Sequence, residues 1–263
     1  MAKIGFIGMG NMGYAILKGL LEKHAPEELL FTDKSRERCE AVSAETGVAN
    51  AADNQDVAAA VKILILAVKP VVYPAVLADL NGKLKEGQIV ISLAPGISVA
   101  KVSEGLGGFE RIVRIMPNTP ALVRTGMTGY TCDDAKFTPE ELDEVRGILM
   151  SFSEIVKVEE RLMDAVTTIS GSSPAFVYMF IDALSDAGVR YGLSKQDSIR
   201  MAAQTVLGSA KMVLETGEHP SRLKDNVCSP GGTTIAAVAA LEEAGFRNAI
   251  LKGAEACYQK CKG

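Results

Sequence analysis

The amino-acid sequence predicts an α/β chain: a doubly wound parallel sheet over residues 1–160, followed by an all-helical domain over residues 161–263. Three observations carry this reading. Short β-rich runs alternate with helical stretches up to about residue 160. Those runs are almost continuously apolar, as strands covered by helices on both faces must be. Beyond residue 160 the strand signal stops, and long apolar helices punctuated by Gly and Pro take over.

The first strand, KIGFIG, runs into Gly8-Met9-Gly10-Asn11-Met12-Gly13, a G-x-G-x-x-G that opens a helix over 13–24. Gly8 permits the tight turn, Gly10 lets the backbone approach a pyrophosphate, and Gly13 packs helix against strand, so the sheet is expected to be of the Rossmann type. The second strand, LLFTD, ends at Asp33, twenty residues past Gly13. A carboxylate there favours NADH through the ribose hydroxyls, whereas Lys34, Ser35, Arg36 and Arg38 offer cations and a hydroxyl to the 2′-phosphate of NADPH. Ser35 can equally cap the helix over 36–46. The choice stays open in the sequence, with NADPH preferred and NADH allowed.

KILILAV and QIVISLA are the next strands; they close on AVKP (Ala67, Val68, Lys69, Pro70) and LAPG, with Ala94 and Gly96. Ligands of an open α/β sheet lie outside the carboxyl ends of its strands, so both loops are expected to flank the dinucleotide. Lys69 reads either as a phosphate ligand or as a solvated loop lysine. A helix over 98–106 leads to RIVRIMP, whose MPNTP loop carries two prolines stiff enough to aim Asn118 and Thr119 at the nicotinamide and substrate. TGYTCD and SEIVKVEE are further strand candidates, with a helix over 138–150 between them. RLMDAVTTISG, SPAFVYMFIDALSDAGVRYG, KQDSIRMAAQTVLGSAKMVLETG, TTIAAVAALEEAG and FRNAILKGAEACYQKC then read as helices.

The 263 residues are 48% hydrophobic and 23% charged with net charge −4, an ordinary globule with no basic surface for nucleic acid or an anionic membrane. No apolar run approaches the roughly 20 residues that span a bilayer, MAKIGFIG is expected to be a strand and not a leader, and a cytoplasmic location follows. Cys257 and Cys261 are one helical turn apart but have no second Cys/His pair, so no metal site is expected.

Reduction of an alcohol-forming carbonyl usually needs a strong acid such as histidine. Of the two histidines, His24 ends the first helix and His219 sits between helices in GEHPS, neither a convincing catalyst. A C=N bond is less demanding, because an iminium nitrogen already carries its proton. SPGGTT then draws attention: two glycines free the backbone, and two hydroxyls stand where a helix presents unpaired N–H groups.

At this point LKDNVCSPGGTTIAAVAALE resembles the signature of the pyrroline-5-carboxylate reductases. GFIGMGNMG, AVKP, MPNTP, DAVTTISGSSPAF and SPGGTT occur in that family's order and spacing across the whole chain. The resemblance implies an N-terminal Rossmann domain, a helical dimerisation domain, and NAD(P)H-dependent reduction of a cyclic imine to L-proline. It puts Thr234 beside the imine nitrogen as proton donor, Thr233 with the backbone of Gly231 and Gly232 on the substrate carboxylate, and Asn226 near the cofactor. The chain departs from the family's common SGSGPA in carrying Ser173 for glycine; since Pro174 biases its predecessor to extended geometry, Ser173 is expected to cap the helix that Pro174 begins.

Rival readings are a β-hydroxyacid dehydrogenase, whose helix-borne lysine motif is missing around Lys195, Lys211, Lys224 and Lys252; a deazaflavin-dependent NADP reductase, which does not account for SPGGTT; and a nucleotide sensor without turnover. The expected partners are the small cyclic imine and a second copy of the chain, as a homodimer or a higher oligomer of dimers. The helices 174–191 and 195–217 are apolar on several faces, more than a hundred residues could cover alone.

Overall fold

The computed structural model of the chain describes residues 3–262. Residues 1, 2 and 263, at the outer ends of the two expected domains and of the MAKIGFIG segment, lie outside the described residues. The chain divides into two compact units, one running to Ser172 and taking in the chain from Tyr258 on, the other Ser173–Cys257.

The first unit is built on one eight-stranded sheet: β1 (Ile4–Ile7), β2 (Leu29–Thr32), β3 (Ala49–Asn50), β4 (Ile63–Leu66), β5 (Ile89–Ser92), β6 (Ile112–Met116), β7 (Gly126–Thr131) and β8 (Ser153–Lys157). Their spatial order is β3-β2-β1-β4-β5-β6-β7-β8, so the chain starts in the middle, winds outward one way, then crosses back and winds the other. Side chains alternate between two cores. Ile63, Ile65, Ile89 and Ile91 enter one with Phe6 and Phe31, while Leu64, Leu66 and Val90 enter the other with Ile7. That period of two, with both faces covered, is why these strands are apolar at every position.

The sheet is not wholly parallel. β7 runs antiparallel to β6, with Arg114 opposite Thr131 and Met116 opposite Gly129. The connection 117–125 is too short for a crossover, which takes about a dozen residues or more, so the chain can only reverse. β8 returns parallel to β7 by way of a helix, Pro139–Leu149. The two-residue β3 and the helices Asn54–Ala60 and Tyr73–Leu80 were not among the predicted elements.

Helices α1 (Asn11–Leu20), α2 (Arg36–Thr46), α3 (Asn54–Ala60), α4 (Tyr73–Leu80), α5 (Val99–Gly105) and α6 (Pro139–Leu149) cover the sheet. α2 matches the predicted 36–46, capped by the Ser35 hydroxyl and stopped by Gly47 at φ +73°. RLMDAVTTISG, expected as one helix, is instead a 3₁₀ turn, a single α turn α7 (Met163–Val166) and a π-helical stretch over 167–171. Three hydroxyls bond back to carbonyls four residues earlier: Thr167 to Met163 at 2.9 Å, Thr168 to Asp164 at 2.9 Å and Ser170 to Val166 at 3.0 Å. Such back-bonding competes with the regular ladder.

The second unit holds α8 (Pro174–Arg190), α9 (Lys195–Thr216), α10 (Pro220–Val227), α11 (Thr233–Glu243) and most of α12 (Phe246–Cys261). α8 begins at Pro174 as expected, but Ser173 is helical at φ −65°, ψ −17° and makes no capping bond. The π-helical stretch feeds almost directly into α8, so the chain has no extended residue there to act as a cap. α8 and α9 form a hairpin whose Lys195 ammonium donates to Asp186, Ser185 and Asp182. The short helix α10 lies in a segment read as loop, with His219 as its cap, Nδ1 accepting the Ser221 N–H. Among the described residues no helix is long and apolar enough to cross a membrane.

One side chain ties the strand ends together. Tyr73, fully buried at the start of α4, donates to the Leu66 carbonyl at 2.8 Å, lies 3.1 Å from the Ser92 hydroxyl and accepts the Leu93 N–H at 3.0 Å. Burial pushes its phenol up to about 12. Tyr73→Phe is therefore expected to cost about 1–2 kcal/mol, read as a lower urea midpoint with an unchanged slope. The raised phenol stabilises the fold fully below about pH 10, where the unfolded side chain titrates. That contribution is lost as pH rises toward about 12, so the gap between native and variant should narrow only on that alkaline side.

Candidate functional site

The carboxyl ends of β1, β2 and β4 open onto a cleft of about 350 Å³, lined by Gly8, Gly10, Asp33, Lys34 and the 67–69 loop. A second cavity of about 530 Å³ shares Gly10 and residues 67–69, adds Asn11 and Met12, and extends past Leu93 to Met116 and Pro117. Together they make one trough across the crest of the sheet, where open α/β sheets bind ligands.

The glycine loop is shaped by contact. Gly8 has φ +96°, and a β-carbon there would sit 2.8 Å from the Ala67 carbonyl oxygen. A β-carbon on Gly13 would run into the Gly8 carbonyl, so Gly13 lies buried in the helix–strand seam and not in the trough. Around Gly10 a β-carbon would meet nothing within 4 Å, which leaves the approach to the α1 N-terminus open. That terminus has no side-chain cap and no acidic residue in its first turn, so its N–H groups face outward unpaired, as an anion requires. Lys34 and Lys69 flank the trough, and their ammonium groups make no hydrogen bond or ion pair among the described residues. These features fit a dinucleotide, with the loop N–H groups and Lys69 for the pyrophosphate.

Other predicted residues lie differently. Met9 contributes only backbone, its side chain being fully buried in the core. Pro70 begins a 3₁₀ turn beyond the trough, Ala94 is buried in the second core, and Gly96 is exposed at φ +72°. Ser35 and Arg36 stand just outside the lining: Ser35 caps α2, and the Arg36 side chain is 92% exposed and paired with Glu40 at 2.9 Å. Lys34, beside them, is the one that lines the cleft. Asn54, Val72 and Val76 also line it and had no motif to announce them; the Asp53 cap ahead of α3 was the available signal.

Asn118 is held by the scaffold. Its amide is buried, donates to the Ser170 carbonyl at 3.0 Å and accepts the Met127 N–H at 2.9 Å. These bonds lock the loop to the scaffold. Thr119 is exposed at the start of a 3₁₀ turn, Thr119–Val123. Nearby, the buried Arg114 guanidinium donates to Glu160 at 3.1 Å, and the same carboxylate oxygen accepts the Val99 N–H at 2.7 Å.

In the second unit the SPGGTT segment forms the head of α11. Gly231 is left-handed at φ +67°, Gly232 is the extended residue before the helix, and no side chain caps the first turn. The turn is closed by Gly232 N–H donating to the Ser229 carbonyl at 3.0 Å. Thr233 is exposed and Thr234 half-buried, and neither hydroxyl has a partner among the described residues. Asn226 lies exposed on α10. An uncapped helix N-terminus with adjacent unpartnered hydroxyls suits a small anion carrying a polar group.

Comparison with known proteins agrees with both halves. Residues 3–96 match a family described as NADP oxidoreductase, coenzyme F420-dependent, and residues 160–263 match one described as pyrroline-5-carboxylate reductase dimerisation. The chain is 45% identical over 260 residues to the pyrroline-5-carboxylate reductase of Escherichia coli (strain K12), covering 98% of this chain and 96% of that one. It is 42% identical to the corresponding Synechocystis protein over the same shares of each chain. Among solved structures, the Coxiella burnetii pyrroline-5-carboxylate reductase superposes with a TM-score of 0.91 at 33% identity, over 99% of this chain and 97% of that one. The Plasmodium falciparum pyrroline carboxylate reductase with NADP bound gives 0.89 at 33% identity, again over 99% and 97%. A glycine-loop trough at the crest of the sheet, an uncapped SPGGTT helix and this full-length similarity lead to one conclusion: the chain belongs to the pyrroline-5-carboxylate reductase family.

Proposed function

We propose that the protein reduces L-1-pyrroline-5-carboxylate to L-proline, the last step of proline biosynthesis, with NADPH as preferred cofactor and NADH accepted. The observation that carries this reading is the α11 head, where Gly231 at φ +67° turns the chain so that the first-turn N–H groups are left without a cap. A substrate with one carboxylate and one ring nitrogen matches that equipment. The N–H groups of Gly231 and Thr233 hold the carboxylate with the help of the helix dipole, while Gly232, whose own N–H closes the turn onto Ser229, lets the chain approach it. When bound, NAD(P)H supplies the hydride that the imine carbon accepts. Thr234 hydrogen-bonds the ring nitrogen and assists its protonation as the C=N electron pair settles there.

The rival lysine-dependent dehydrogenases are disfavoured because three of the four candidate lysines are paired, Lys195 with Asp186, Lys211 with Glu215 and Lys224 with Asp225, and Lys252 is exposed on α12. Thr234→Ala is expected to lower kcat/KM by roughly 10–10³-fold, the scale for one proton-transfer or polar stabilising group, with cofactor affinity unchanged. Steady-state kinetics that match the native enzyme would remove Thr234 from the mechanism.

For the cofactor, the basic cluster after β2 supports NADPH. Replacing Ser35 and Arg36 together by alanine should weaken NADPH by about 1–3 kcal/mol and leave NADH nearly unaffected. Equal losses in two calorimetric titrations would contradict a 2′-phosphate role.

A homodimer is supported by how little the helical unit buries. The buried residues of one hydrophobic core reach no further along the chain than Phe152 and those of the other no further than Ile112, while Met179 is 72%, Tyr191 81% and Leu214 81% exposed in the single chain. An interface of about 2,000–5,000 Å² would cover such a surface. Light scattering on dilution to nanomolar concentration should never fall to the 27.8 kDa of one chain. A fully active monomer would reject the dimer.

A further inference from the structure

Arg38 differs from its basic neighbours in where its guanidinium goes. Nε donates a 2.8 Å hydrogen bond to the Met9 carbonyl, twenty-nine positions away in the chain. Its Cζ lies 4.7 Å from the centre of the Tyr14 ring, and the Tyr14 hydroxyl donates in turn to Glu45, which also takes the Lys18 ammonium. The pull of Tyr14 and Lys18 holds the Glu45 carboxyl below the usual carboxylate range, so this outer support stays charged at neutral pH. On the other side of the same residue, the Met9 N–H donates to Asp33 Oδ2 at 2.7 Å, while Asp33 Oδ1 accepts the Ser35 N–H at 2.9 Å. The Met9 side chain is anchored in the core with no exposure.

Met9, between the two glycines that a pyrophosphate must pass, is therefore held at its N–H, its C=O and its side chain. Glycine-rich backbone is the most mobile in a chain, and ordering it upon binding costs affinity. A loop already held in shape avoids that cost. We propose that Arg38 and Asp33 form a bracket that presets the glycine loop for the pyrophosphate shared by both nicotinamide dinucleotides. Arg38 is then a positioning residue of the cofactor site and not a ligand of the 2′-phosphate. This rests on the protein binding NAD(P)H, and the test reads binding alone, so it does not depend on imine turnover.

The two roles separate cleanly by fragment. ADP carries the pyrophosphate without a 2′-phosphate; 2′-AMP carries the 2′-phosphate without a pyrophosphate. Calorimetry of the full-length protein with NADPH, NADH, ADP and 2′-AMP is run on Arg38→Leu and Arg38→Gln. Leucine removes the donor, whereas glutamine carries an uncharged N–H donor, Nε2, bonded to Cδ as arginine's Nε is. The bracket predicts that Arg38→Leu weakens NADPH, NADH and ADP alike, by roughly tenfold, and spares 2′-AMP. Arg38→Gln should restore all three to within about threefold of native. Tyr14→Leu, which removes the ring beneath the guanidinium, should give the same parallel loss and serves if Arg38→Leu does not fold. A loss confined to NADPH and 2′-AMP, a glutamine variant as weak as the leucine one, or native affinities throughout would overturn the proposal.

Discussion

The trough exists because α1 approaches β1 to within the space of a missing β-carbon. At Gly13 a side chain would collide with the Gly8 carbonyl and lie 3.2 Å from the Ala67 β-carbon, so the helix, the first turn and the β4 loop meet at one point. Everything else at the crest is arranged around that contact. Gly8 must be left-handed for the chain to turn there, and its carbon would otherwise press on the Ala67 carbonyl. The α1 N-terminus is thereby aimed over the strand ends with its N–H groups unpaired.

The polar residues just past β2 divide their labour accordingly. A carboxylate at this position is usually taken to select NADH by binding the ribose. Here both Asp33 oxygens accept backbone N–H groups, from Met9 and Ser35, so the residue shapes the loop whatever ribose it meets. Arg38 holds the next peptide group, through the Met9 carbonyl, from the other side of the same residue. Lys34 lines the cleft and Arg36 reaches solvent, and these remain the cations with freedom to follow a phosphate.

Much of this was legible in the sequence because it is local. Ser35 before and Gly47 after a helical stretch bound α2 to the residue, and the apolar runs at 63–66 and 89–92 could only be buried strands. The two glycines of SPGGTT announced a freed backbone ahead of a helix, and Gly231 uses that freedom at φ +67°. What was illegible depends on partners distant in the chain. Nothing near Asn118 reveals that its amide will meet Ser170 and Met127, nor does the stretch after Asp33 reveal that Arg38 will reach Met9. The antiparallel β7 is settled by the length of a proline-stiffened connection, a quantity that periodicity does not weigh. The π-helical stretch escaped because its apolar spacing suits a helix, while its hydroxyls pull the ladder out of register.

The helical half poses the opposite problem to the sheet. Its pattern is easy to read, yet its helices bury almost nothing large: Ala202, Ser185 and Ser198 are the described residues of the unit below a tenth exposed. Ser198 is tucked so tightly against Gly188 that a β-carbon there would collide with it, so the α8–α9 hairpin is closely packed along its own seam. Close packing at the seam with open apolar faces elsewhere means the unit's stability depends on what covers it. Thr234 sits in that same unit, half-buried with an unpartnered hydroxyl, at the end of a helix whose first N–H groups are unsatisfied. Polar groups left without partners inside a covered region are costly. On the proposed reading a substrate carboxylate and ring nitrogen would offset that cost, and the same desolvation that a second copy would impose on the helices would strengthen the hold on the anion.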